Sequence, residues 1–198
     1  DAHFESCGQQ WMLLAEPRYA VALVNQSSYG HDVSPAGGDE HTPTMGVMAR
    51  LTLLRSPQSP DPHPDQGRHH IVYSLLTDAR IESAHVEAAR LNQPLQVRSG
   101  TVELPSTARI EPVHGTTVID AVKQAFDGFG DLVIRIHEAE GARSRVRLLL
   151  DQDGCVSEVD LLEDPIDEPT QQLPASTCSK VELTLRPFQI LTLRVSQR

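Results

Sequence analysis

The residues with chemistry to offer lie in two stretches. The first reads Asn25-Gln26-Ser27-Ser28-Tyr29-Gly30-His31-Asp32-Val33, and the second runs from Arg55 through Pro57, Pro60, Asp61, Pro62, His63, Pro64, Asp65, Gln66 and Gly67 to His69-His70. Of nine histidines, His31, His41, His63, His69 and His70 lie in or next to them. A zinc site needs roughly three or four donors converging on one point. Asp61, His63, Asp65, His69 and His70 are donor types, but their spacing matches no closed zinc motif. Pro60, Pro62 and Pro64 hold the segment extended and splay its side chains. No metal site is expected from this chain. Asp32 and Asp65 are the candidate carboxylate pair, and hydrolysis of a glycoside by such a pair needs them roughly 5–10 Å apart. Asp residues in Gly- and Pro-rich stretches more often form turns and caps. No G-x-S-x-G and no Gly-rich phosphate loop occurs, which leaves acyl transfer and nucleotide chemistry without support. Tyr29 with the neighbouring His and carboxylate side chains suits a polyol. Aromatic residues are only 4% of the chain, and Trp11 falls in a strand pattern that assigns it to the core.

The balance of 17 Lys+Arg against 27 Asp+Glu gives a net charge of −10 over 198 residues. That charge argues against a nucleic-acid partner and against an anionic membrane surface. Apolar residues, at 39%, suffice for a packed core. No apolar run approaches the roughly 20 residues that cross a bilayer. The start, Asp1-Ala2-His3-Phe4-Glu5, has no basic segment, no apolar segment and no initiator Met, so the chain is expected to be a piece of something longer. Cys7, Cys155 and Cys178 are odd in number and form no C-x-x-C; they read as small buried hydrophobes in a reducing compartment, the cytoplasm.

The elements that must position those stretches are mostly strands. Period-2 patterning marks Tyr19–Val24, Met45–Leu54, His70–Leu76, Asp131–Glu138, Arg145–Leu150, Val156–Leu162, Lys180–Leu185 and Gln189–Val195. Ile81–Leu91 carries Ala84, Ala88 and Leu91 at helical spacing and reads as a helix. Thr117–Phe126 has a similar spacing, yet its β-branched start and the following Asp127-Gly128 and Gly130 favour a strand entering a hairpin. Short strands with turn signals between them predict an all-β sandwich. Composition shifts at Asn92-Gln93-Pro94, and the boundary is placed there: residues 1–92 and 93–198. The second part has the makings of a self-contained small sandwich. The first offers too few strands to cover both faces of a sheet. Asn25–Thr44 and Ser56–Arg68 lack periodicity and read as long functional loops.

These stretches carry a resemblance. Trp11, Ala15-Glu16-Pro17, Tyr19 to Asn25 and Tyr29-Gly30-His31-Asp32-Val33, followed by Leu51 to Pro57, Pro60-Asp61-Pro62, Asp65-Gln66-Gly67, His69 and Tyr73-Ser74-Leu75, look like the C-terminal β region of family 38 glycoside hydrolases, the zinc-dependent retaining α-mannosidases, in their bacterial and cytosolic branch. Val118 to Lys123, Asp127-Gly128, Leu132 to Glu138 and Leu185 to Leu193 are similar to that family's last small β-sandwich. The chain departs from the family at Gln9-Gln10-Trp11, at Asn25-Gln26 and in the length of Ala36–Thr44.

The resemblance implies an all-β chain: the C-terminal part of the large mannosidase β-sandwich (1–92), then the small C-terminal β-sandwich (93–198). It implies that the zinc ligands, the nucleophile and the general acid lie in a catalytic domain outside this chain, with no catalytic residue and no metal ligand here. The substrate would be a mannose-containing oligosaccharide. Tyr29, Gly30, His31 and Asp32 would then stand near the sugar, with Asp65, Gly67 and His69 in support. A separated part of a sandwich also exposes apolar surface, so self-association into a homo-oligomer is expected. The alternative is a stand-alone carbohydrate-binding or protein-interaction module.

Overall fold

The computed structural model describes residues 5–37, 46–97, 99–100 and 108–196. Contacts divide the chain into two compact units, Asp1–Val97 and Arg98–Arg198. Both are built mainly from antiparallel strands, so the all-β expectation holds, with one helix among the described residues.

In the first unit the elements are β1 (Ser6–Cys7), β2 (Trp11–Glu16), β3 (Tyr19–Asn25), β4 (Gly30–Pro35), β5 (Val47–Leu51), β6 (Tyr73–Thr77) and α1 (Ile81–Asn92). They form two three-stranded sheets, ordered β1-β4-β5 and β2-β3-β6. Strands β2 and β3 turn at Pro17-Arg18, with Glu16 opposite Tyr19 and Trp11 opposite Val24. Alternation sends Trp11, Leu13, Ala22, Val24 and Leu76 to one face, where α1 packs with Ala84 and Ala88. Alanine on both sides lets helix and sheet approach closely. Trp11 stands edge-on to His85, with ring centres 5.1 Å apart. The helix starts where the Ser83 hydroxyl accepts the Arg80 N–H at 2.8 Å, half of a capping box. At its other end Asn92 Nδ2 donates to the Asn25 carbonyl at 3.1 Å, which pins the end of β3.

The second unit holds β7 (Ala108–His114), β8 (Thr117–Gln124), β9 (Leu132–Glu138), β10 (Ser144–Val159), β11 (Cys178–Leu185) and β12 (Ile190–Ser196). The hairpin reading of 117–131 is correct: β8 pairs antiparallel with β9. The first half of β10 lies between β7 and β11, and its second half pairs with β12. One strand thus passes from one sheet to the other and closes a shared core of Ile134, Ile136, Leu148, Leu183, Leu185, Leu191 and Leu193. The register slips between Leu149 and Gly154. A Cβ on the buried Gly154 would lie 2.5 Å from Val195 Cγ1, so only glycine fits where the strand bends.

Several expectations need correction. Arg145–Leu150 and the first part of Val156–Leu162 are one strand that ends at Val159, because the intervening Asp151-Gln152-Asp153 is bridged by a bulge rather than a turn, and Asp160–Leu162 lie beyond it. Asn25–Thr44 is not an unbroken loop, since β4 lies within it; the buried, polar His31 hides the alternation. The rest of that loop, including His41, falls largely outside the described residues. Strands β1 and β7 went unread, one being two residues long and the other interrupted by Pro112. Cys7 and Cys155 are exposed and not core residues, whereas Cys178 is half-buried and packs against the core of the second unit. Cys155 faces outward because its neighbours Gly154 and Val156 face in.

Glu138, at the end of β9, has no solvent exposure. Its Oε1 accepts the Glu140 N–H at 2.8 Å, and its Oε2 accepts those of Gly141 at 2.8 Å and Phe188 at 2.9 Å. Burial pushes this carboxyl up, but the N–H groups of Phe188, Glu140, Ala142 and Gly141 together outweigh it and hold the pKa below the ordinary value. One side chain therefore fixes two turns. Glu138→Ala should cost the second unit about 2–4 kcal/mol, because several buried donors lose their acceptor together. Denaturant unfolding of this unit measures it, and a loss below about 0.5 kcal/mol would refute the anchor role.

Candidate functional site

Strand β4 brings the first stretch onto the sheet β1-β4-β5. Alternation places Gly30, Asp32 and Ser34 on one face and His31 and Val33 on the other. Arg50 lies directly across from Asp32, and the two form an ion pair at 2.7 Å. Arg50 also donates to Ser34 Oγ at 3.4 Å. Tyr29, just before the strand, is half exposed. A Cβ on Gly30 would run into the Glu5 carboxylate and lie 3.1 Å from Thr52 Cβ. Glycine here is what lets Glu5 lie across the strand, where it pairs with Arg55. Glu5, Ser6, Cys7, Tyr29, Gly30 and Arg55 line an open cavity of about 300 Å³.

The second stretch closes on itself. Ser56 donates its backbone N–H to Asp65 Oδ2 at 3.3 Å and its hydroxyl to the Pro64 carbonyl at 3.1 Å. Asp61 accepts the His63 N–H at 2.8 Å. His69 Nε2 lies 2.6 Å from the Asp65 carbonyl and donates to it. Asp65 and Gly67 have positive φ, 55° and 146°, so the arm turns twice at its far end. Asp65, Gly67 and His69 are all exposed.

The structure therefore gathers Tyr29 and Gly30 with Arg55 and Glu5. Asp32 is engaged with Arg50, and Asp65 with Ser56, each carboxylate serving its own turn or strand. His31, expected beside a sugar, is 3% exposed and faces away from Gly30 and Asp32. Its Nε2 accepts from Asn25 Nδ2 at 3.2 Å. Burial lowers the imidazole pKa, with the Tyr29 backbone working in the opposite sense. His31 is a neutral strut between the ends of β3 and β4. Among the described residues, no three His, Cys, Asp or Glu side chains come together in a group that could hold a metal ion. Glu5 was missed by sequence reasoning. The available signal was Gly30 at the head of a strand, which marks a close approach of something else.

Comparison with known proteins follows the same division of the chain. Residues 1–63 match the family described as Glycosyl hydrolases family 38 C-terminal domain, and residues 116–193 match Glycosyl hydrolases family 38 C-terminal beta sandwich domain. Alpha-mannosidase 2C1 of Homo sapiens is 33% identical over 97% of the chain, which corresponds to 18% of that protein. Alpha-mannosidase G of Dictyostelium discoideum is 32% identical over 71% of the chain and 12% of its own length. Alpha-mannosidase of Saccharomyces cerevisiae is 24% identical over 98% of the chain and 19% of its own length. The chain thus spans less than a fifth of the curated relatives it matches.

The neutral state of His31 has a consequence for stability. With the folded pKa lowered, the unfolded chain takes up the proton first as pH falls. The stabilisation is present above about 6.5, the ordinary imidazole value, and is lost as pH falls from there through the lowered value. Melting temperatures of the first unit should fall between about pH 7 and 5, and His31→Gln should flatten that slope. An unchanged slope in the variant would remove His31 as its cause.

Proposed function

From a chain that belongs to glycosyl hydrolase family 38, we propose that it is the non-catalytic C-terminal β portion of an α-mannosidase that removes terminal α-D-mannosyl residues from oligosaccharides. The observation that carries this reading is the matching of both units to C-terminal domains of one family, joined to relatives that are named α-mannosidases over nearly the whole chain. The chemistry then resides in a catalytic domain outside this chain. On this reading the zinc is held there as well.

On this reading Tyr29 and Gly30, with Glu5 and Arg55, form a rim beside the mannose pocket of that domain. The closed arm carrying Asp65, Gly67 and His69 braces against the same domain. Asp32 and His31 hold the rim in place, one through Arg50 and the other through Asn25. Support comes from the exposure of Tyr29 beside an ion pair, a combination able to stack on and hydrogen-bond a sugar. The protein is further read as cytoplasmic and engaged in mannose metabolism. The three cysteines, all free, suit a reducing compartment. No described helix is long and apolar enough to cross a membrane.

The test uses the longer protein and this chain side by side, with an aryl α-mannoside and added zinc. The longer protein should turn over and the 198-residue chain alone should not. In the longer protein Tyr29→Ala and Arg55→Ala should raise KM about three- to thirtyfold while kcat stays within about twofold, the pattern of a lost contact that held substrate and transition state equally. Turnover by the chain alone would defeat the assignment.

The sheet β2-β3-β6 gives a second test. Its face away from α1 carries Met12, Leu14, Val21, Leu23 and Leu75, and Leu75 and Tyr73 are 64% and 58% exposed. Such a face is covered in a complete sandwich. The isolated chain should associate as its concentration rises, and the longer protein should not do so through this face. Sedimentation equilibrium reads the difference; a chain that stays monomeric would show that the face tolerates water.

A further inference from the structure

The second unit presents an aromatic ring held in an unusual way. Phe188 has φ of +56°, a conformation that bulky side chains rarely adopt. Its N–H is fixed by the buried Glu138, and its ring lies over Gly141, where a Cβ would come within 2.5 Å of Phe188 Cζ. Yet 73% of the residue faces solvent. Backbone strain, a buried carboxylate and a glycine all serve to hold one exposed ring still.

That ring borders a cavity of about 490 Å³ whose other walls include Asp120, Arg135, His137, Leu161 and Ile190. Ile190 lies directly opposite His137 in the pairing of β12 with β9, so both face the cavity side of the sheet. Asp120 is the extra residue of a bulge between Ile119 and Ala121. The bulge turns its carboxylate onto His137, with Nδ1 2.9 Å from Oδ2 and 3.0 Å from Oδ1. Arg135 is positioned by Thr192 Oγ1 at 3.2 Å and the Leu161 carbonyl at 3.0 Å.

We propose that this cavity is an ancillary pyranoside-binding site on the small sandwich, in which Phe188 stacks on the apolar face of a hexopyranose and the Asp120–His137 pair and Arg135 hydrogen-bond its hydroxyls. A pyranose has one apolar face and a polar edge, and this site offers one ring bordered by planar polar groups. The centre of a protein–protein interface, by contrast, is depleted in charged residues. The volume falls in the range of small-molecule sites, roughly 300–1,000 Å³. The proposal places a second sugar contact on a unit to which the function above gives only a structural role. Its chemistry does not depend on that function; only the choice of a mannoside among the probes does.

The test is titration of the 198-residue chain with methyl α-D-mannopyranoside, methyl β-D-glucopyranoside and methyl β-D-galactopyranoside, by calorimetry and ligand-observed saturation-transfer NMR. At least one should bind saturably, with a Kd on the order of 1 mM. Phe188→Asn keeps a residue that tolerates positive φ and removes the ring, and it should weaken binding by about tenfold or more. Asp120→Asn should weaken it about threefold and leave the melting temperature within about 2 °C. A glucoside that binds in place of the mannoside supports the site and speaks against the mannoside reading alone. Binding that survives Phe188→Asn unchanged, or no saturable binding by any of the three, overturns the proposal and leaves the face to a protein partner.

Discussion

A polar side chain withdrawn from water must be hydrogen-bonded, and in this protein two such side chains set the position of what could touch a ligand. In the second unit it is Glu138, whose two oxygens gather N–H groups from the turn after β9 and from the turn before β12. Without that acceptor the Gly141 turn and the Phe188 turn have no common anchor, and Phe188 has no reason to remain at positive φ. In the first unit it is Asn25, fully buried at the end of β3, whose Nδ2 reaches His31 on β4 and whose backbone carbonyl reaches α1, while its Oδ1 and His31 Nδ1 find no hydrogen-bond partner among the described residues. The rim formed by Tyr29 and Gly30 immediately precedes His31 in the chain. Both anchors lie at strand ends, where the ladder stops supplying partners and a side chain must take over.

What could be read directly was governed by period. The strands of the second unit alternate cleanly: Val181, Leu183 and Leu185 are buried while Glu182 and Thr184 are exposed. The helix was legible because Ala84, Ala88 and Leu91 share a face, although its N-cap is an arginine and carries no ordinary start signal. The hairpin at 124–132 was legible from Asp127 and Gly128, and Asp127 Oδ1 does accept the Phe129 N–H at 3.1 Å. Strand β4 was not legible, since the residue filling its inward position is histidine. The unity of β10 was hidden by Asp151 and Asp153, which imitate a turn.

The candidate site was legible by residue type and illegible by geometry. Tyr29 and Gly30 lie at a surface cavity with Arg55, as loop neighbours would. His31 and Asp32 follow them in sequence but diverge in space, because successive strand residues point to opposite faces. Glu5 lies 25 residues upstream of Gly30, and nothing local ties the two together. Only the missing Cβ at Gly30 records the contact, and it does so without naming the partner. The resemblance to the mannosidase family supplied what periodicity could not, namely that these stretches belong to the family's C-terminal β region.

The surroundings of a carboxyl decide whether it can act as an acid or only as an anchor. A glycosidase acid has to be held protonated near neutrality, and that takes an environment which raises its pKa. In Asp127, Glu138 and Glu163 the surroundings do the opposite and hold the carboxyl below its ordinary value. For Asp127 the cause is first the Phe129 N–H and then Arg194; for Glu163 it is the Lys123 ammonium and then the Phe126 N–H. Glu138 is the informative member. It has the burial that a general acid uses, and burial alone does push it up, but the chain spends that position on backbone donors that stabilise the ionised form. The same feature that would make an acid, a carboxyl removed from water, is here turned into a clamp for two loops. A buried carboxyl used this way is organised to hold two loops in place rather than to give up a proton.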